Sequence, residues 1–143
     1  HLELGAEFRG DKKCCAIRKD LSDEADLFIF VLVDASGSMT PEIETIKDAL
    51  TMFSEVCRSL SLPITVMTHM ASANKVTINT LIDGNMRKNT FAGIETFTTG
   101  GGTRDGVALM SVAEYLKTRR ETQKILIAIS DGQPWHTCQL EMN

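Results

Sequence analysis

The chain has 143 residues, 43% of them hydrophobic and 24% charged, with 15 Lys plus Arg against 19 Asp plus Glu for a net charge of -4. That length and balance suit one globular domain around a single core, and without a basic run or stripe nucleic acid is not an expected partner. The longest wholly apolar stretch, Leu27 to Val33, is far too short to cross a bilayer, and His1-Leu2-Glu3-Leu4 lacks a basic-then-apolar leader pattern, so no membrane or targeting role is expected.

Residues 1–26 are polar, mixed in charge and without a sustained period, so they read as a lead-in segment or an edge strand ahead of a domain over 27–143. They contain the vicinal pair Cys14-Cys15; Cys57 and Cys138 lie further on. No Cys-x-x-Cys pair points to zinc, and the simplest reading is free thiols in a reducing cytoplasm, with no role assigned to the vicinal pair.

Leu27-Phe28-Ile29-Phe30-Val31-Leu32-Val33 is an unbroken apolar run of strand length, the pattern of a central strand covered on both faces, and it stops at Asp34. After Asp34-Ala35-Ser36-Gly37-Ser38-Met39, Thr40 is placed to cap a helix with Pro41 at its first position and Glu42 and Glu44 near its positive end. Ile43, Ile46, Leu50, Phe53, Cys57 and Leu60 recur every three or four residues and form one apolar stripe before Pro63. Cys57 is therefore expected in the core.

Pro63 to Met70 and Lys75 to Ile82 read as strands, the second alternating apolar and polar except at Leu81. Four intervening residues, Ala71 to Asn74, are too few for a crossover helix, so the two strands should form an antiparallel hairpin at a sheet edge. The stretch through Phe97 is ambiguous. Thr98-Thr99-Gly100-Gly101-Gly102-Thr103 then opens a helix whose Leu109, Val112, Ala113 and Leu116 share a face, and Lys124 to Ser130 repeats the buried-strand pattern before Asp131 and Gly132. Strands alternating with helices predict an α/β fold: a doubly wound, Rossmann-like, mostly parallel sheet with one antiparallel edge strand, whose ligands bind at the carboxyl ends of the strands.

Three loops emerge on that edge, and each carries oxygen: Asp34, Ser36 and Ser38 from the first, Thr103 from the glycine-rich second, Asp131 from the third. Two carboxylates and three hydroxyls, with no thiolate or imidazole among them, form a hard-oxygen set that suits Mg²⁺ first, or Mn²⁺ or Ca²⁺. Aspartates also cap strand ends and helices without ligating anything, but two serines at fixed spacing and a remote threonine favour the metal reading.

These residues, spread over roughly 27–134, resemble the metal-ion-dependent adhesion site of von Willebrand factor A (vWA) domains. The resemblance implies that Ser36, Ser38 and Thr103 touch the metal or exchange with water, that Asp34 and Asp131 hold it directly or through water, and that a partner protein's Asp or Glu completes the shell. Phe30 to Asp34, Gly101-Gly102-Thr103-Arg104-Asp105-Gly106 and Ile129-Ser130-Asp131-Gly132-Gln133-Pro134 are further similar to cobaltochelatase CobT-type and nitric oxide reductase activation NorD-type proteins. That likeness implies a non-catalytic intracellular adaptor or chelatase-type subunit beside an AAA+ ATPase of the MoxR or chelatase kind, serving metal insertion or enzyme activation. Domains of this family usually continue past the last aspartate, whereas this sequence stops at Asn143, so the domain is expected to be incomplete at its C-terminus.

The rival reading is a metal-dependent phosphate hydrolase in which Asp34 attacks phosphorus. Haloacid-dehalogenase-like phosphatases have a second aspartate where Ser36 stands, and neither a Gly-x-Ser-x-Gly turn, a Gly-x-x-x-x-Gly-Lys loop nor a placed histidine base is visible. Extracellular adhesion is disfavoured by the cysteine usage. Arg104 and Asp105 read as a helix start, His69 as a packed strand histidine, the scattered methionines as core filling, and Trp135-His136 as either packing or a docking surface.

Overall fold

The computed structural model describes residues 26–84 and 92–133. The lead-in segment, Cys14-Cys15, Cys138 and Trp135-His136 lie outside the described residues. Four strands, β1 (Leu27–Asp34), β2 (Ile64–Ser72), β3 (Lys75–Ile82) and β4 (Gln123–Ile129), form one sheet in the order β3-β2-β1-β4. β1 runs parallel to β2 and β4, and β2–β3 is the antiparallel edge hairpin. The mostly parallel α/β architecture read from the sequence is the one observed.

The two faces of β1 explain its continuous apolarity. Ile29, Val31 and Val33 join one buried cluster with Ile46, Leu50 and Cys57 of α1 (Ile43–Ser59), while Phe28, Phe30 and Leu32 join another with Ala108 and Val112 of α3 (Asp105–Lys117). A strand sandwiched between helices has no solvent face on which to place polar residues. The Phe30 and Tyr115 rings meet edge to face at 5.5 Å, and the Arg119 guanidinium lies over the Phe28 ring at 4.2 Å, closing the end of the second cluster.

The structure corrects several local expectations. Thr40 does not cap the first long helix: Gly37–Glu42 forms a 3-10 turn containing Pro41, and α1 begins at Ile43 without a side-chain cap. The Thr40 hydroxyl donates instead to the Gly37 carbonyl (2.7 Å) and meets the Thr99 hydroxyl at 2.8 Å, joining two loops. Leu60 falls beyond α1 and is 63% exposed, so the stripe ends at Cys57, whose thiol is buried and shifted up by desolvation. On α3 the buried face is Ala108 and Val112, with Leu116 only partly covered and Leu109 and Ala113 exposed.

β2 extends to Ser72, leaving Ala73-Asn74 as the hairpin turn, with Ala73 at φ 51°. Leu81 breaks the alternation of β3 because the pairing register skips it: Val66 opposes Ile82 and Met67 opposes Thr80. This bulge lets Leu81 and Ile82 both pack on the α1-side cluster. The ambiguous stretch contains a short helix, α2 (Ala92–Thr96), seated by fully buried Ile94 and by Gly93, where a Cβ would meet the Leu81 carbonyl oxygen at 2.5 Å. β4 pairs with β1 as expected but lies at the sheet edge among the described residues, with Ile125 and Leu126 exposed rather than buried.

Candidate functional site

Asp34 ends β1 in register with His69 of β2, and it is fully buried. Its Oδ1 accepts the Ser36 amide (2.8 Å) and its Oδ2 lies 3.4 Å from the Ser130 hydroxyl. This turn folds the chain back on the carboxylate and brings the Ser36 and Ser38 hydroxyls to 3.0 Å of each other. Ser36 is buried, whereas Ser38 is exposed.

The third loop reaches the same serines. The Ser38 hydroxyl beside Asp131, followed by the Gln133 amide at 3.0 Å, holds this exposed carboxyl below the usual range. Hydrogen bonds thus join Asp34 to the Ser36 amide and Ser36 to Ser38, and Ser130 brings the Asp131 loop beside Asp34.

Thr103 arrives by a different route. The Gly100 amide donates to the Ala35 carbonyl (2.8 Å), the Gly37 amide donates to the Gly101 carbonyl (3.0 Å), and Gly102 exchanges both backbone hydrogen bonds with Ala71 at the end of β2. The glycine-rich loop is thus laced between the Asp34 loop and the hairpin. Gly101 has φ 67°, and a Cβ there would meet the Ala71 carbonyl oxygen at 2.4 Å, so both backbone conformation and close approach demand glycine. The loop delivers Thr103, 2% exposed, just ahead of α3; its hydroxyl donates to Asp105 Oδ1 at 2.8 Å. Its link to the other four residues runs through this laced backbone.

Sequence reasoning passed over three neighbours. Ser130 stands beside Asp34. His69, expected to be packed and hydrogen-bonded, is indeed buried, but its Nδ1 has no partner among the described residues and its Nε2 lies 3.4 Å from Asp105 Oδ1. Asp105, read as a helix-start residue, does stand in the first turn of α3 but is occupied by Thr103 and His69. Only the parallel register of β1 and β2, which sets His69 opposite Asp34, could have hinted at this.

The donor set has one character throughout: carboxylate and hydroxyl oxygen. No group of three or more His, Cys, Asp or Glu side chains converges among the described residues, so a cation here would rely on two carboxylates supplemented by hydroxyls. Buried Asp34 makes no ion pair with a lysine, arginine or histidine among them. A buried carboxylate in that condition is costly unless a cation compensates it, and hard oxygen donors fit Mg²⁺, Mn²⁺ or Ca²⁺.

A three-layered α/β sheet with oxygen side chains gathered at the carboxyl ends of its parallel strands defines a class of protein that binds at that edge. The family profile of the von Willebrand factor type A domain matches residues 29–133, and the chain belongs to that family. It is also 28% identical over 126 residues to the uncharacterized protein YojO of Bacillus subtilis (strain 168), a match covering 82% of this chain. The same match covers 20% of YojO, so the chain corresponds to about one fifth of that relative's length. No helix among the described residues is long and apolar enough to cross a membrane.

Proposed function

We propose that this domain is a non-catalytic interaction module in which Asp34, Ser36, Ser38, Thr103 and Asp131 hold Mg²⁺, with Mn²⁺ or Ca²⁺ as substitutes, and a partner protein's Asp or Glu completes the coordination. The carrying observation is the fully buried Asp34 carboxylate, which has no cationic side-chain partner among the described residues, accepts the Ser36 amide and has the Ser130 hydroxyl beside it. The bound cation supplies a Lewis-acidic position for an incoming carboxylate. The protein's own contribution is to hold the donors: Ser36 is fixed by its amide on Asp34, Ser38 by the Ser36 hydroxyl, and Thr103 by the laced glycine loop.

The partner follows from resemblance to CobT-type and NorD-type proteins: an AAA+ ATPase of the MoxR or chelatase kind, or the enzyme it remodels or loads with metal, within the cytoplasm. Capture of such an ATPase or its target should require Mg²⁺, be reversed by EDTA and be abolished by Asp34→Ala. Capture that survives both EDTA and Asp34→Ala would sink the reading.

A further inference from the structure

We propose that Asp105 and His69 act together as a positioning pair that aims the Thr103 oxygen at the cation and thereby sets metal affinity; this rests on the cation-site reading above. A threonine hydroxyl has one hydrogen and two lone pairs. Thr103 gives that hydrogen to Asp105 Oδ1 at 2.8 Å, which leaves only lone pairs for the strand-end edge. That is the state a cation ligand needs. Without Asp105 the hydroxyl is free to rotate and turn its hydrogen toward the positive charge.

Asp105 is itself held. His69 Nε2 lies 3.4 Å from the same Oδ1, and the imidazole is buried, its side chain 3% exposed. Among the described residues His69 Nδ1 has no hydrogen-bond partner, an arrangement that a purely structural histidine would not favour. The backbone of His69 also reaches the other half of the site: it pairs in register with Asp34, and its carbonyl accepts the Ala35 amide at 2.8 Å. One residue therefore braces the Asp34 loop with its backbone and the Thr103 support with its side chain. Groups that orient ligands in this manner are worth roughly 10- to 100-fold in metal affinity.

The test is Mn²⁺ binding by the full chain, read from the electron paramagnetic resonance of the free ion. Asp105→Ala is expected to weaken binding by about tenfold or more. Asp105→Asn keeps an oxygen for the Thr103 hydroxyl but loses the charge, and it should restore most of that affinity. A role for Asp105 confined to the helix dipole would make the two variants alike. The double variant His69→Ala/Asp105→Ala should bind no more weakly than Asp105→Ala alone.

Circular dichroism of each metal-free variant checks the fold. Should Asp105→Ala not fold, His69→Asn carries the test, with a several-fold loss expected and wild-type affinity contradicting the pair. Wild-type affinity in Asp105→Ala, or Asp105→Asn no better than Asp105→Ala, would overturn the inference while leaving the cation site standing. Absence of Mn²⁺ binding by the wild-type chain would overturn both.

Discussion

Asp34 lies at the end of a hydrophobic strand, where a charge is expensive, and two hydrogen-bonding neighbours do not offset it as a cation would. Asp34→Asn keeps an oxygen for the Ser36 amide and removes the charge. In the absence of metal it is expected to stabilise the chain by roughly 1–3 kcal/mol, the scale of the penalty for a buried polar group left uncompensated. In saturating Mg²⁺ the order should reverse, because only the wild type gains binding energy. Thermal unfolding with and without Mg²⁺ checks both halves; a variant less stable than wild type without metal would contradict the argument. Gly101→Ala strains a left-handed residue and drives a Cβ into the Ala71 carbonyl. It should cost about 1–3 kcal/mol in urea denaturation and weaken Mg²⁺ binding by displacing Thr103.

The elements differ in how openly the sequence announces them. β1 was legible because burial on both faces leaves an unbroken apolar run, and the β2–β3 hairpin because its connection is too short for a helix. Thr40 misled because Pro41 also fits a 3-10 turn, and Gly37–Glu42 forms one here ahead of α1. α2 was not legible: five residues give no helical period, and the helix is seated by contacts with β3 that are distant in sequence. Ile94→Ala should therefore cost about 2–5 kcal/mol by urea denaturation, as for other buried aliphatic truncations. A change below about 0.5 kcal/mol, typical of a surface position, would show that α2 is not anchored there.

The start of β4 is tied to β1 by Asp26, whose Oδ2 accepts the Thr122 amide at 2.9 Å and whose carbonyl accepts the Gln123 amide. Thr122, through its amide and then its side chain, holds the Asp26 carboxyl below its ordinary value of 3.8. A depressed folded-state value means that the ionised carboxylate stabilises the fold above about pH 3.8, and that this contribution is lost as pH falls through the folded-state value. The urea midpoints of wild type and Asp26→Asn should accordingly differ near neutral pH and converge at strongly acidic pH. A gap that persists unchanged in acid would assign the effect to something other than this carboxylate.

At the scale of the whole molecule, three chain segments that are remote in sequence meet at the strand ends because β1, β2 and β4 are parallel neighbours. Asp34, Ser36, Ser38 and Asp131 were legible as a group because spacing and strand ends place them there; hydrogen bonds join Asp34 to the Ser36 amide and Ser36 to Ser38, and Ser130, the neighbour of Asp131, lies beside Asp34. The support beneath Thr103 was not legible, since it depends on a glycine loop laced by backbone hydrogen bonds and on a histidine from a different strand. The apolar run of β4 predicted burial; its exposed residues show that hydrophobic pattern records a segment's capacity to be covered, not what covers it.

The most direct measurement of the central claim is a calorimetric titration of Mg²⁺ into the metal-free chain beside Asp34→Ala. The account predicts saturable binding at one site by the wild type and none by the variant. Equal binding by both, or no binding by the wild type, would contradict a cation site built on Asp34.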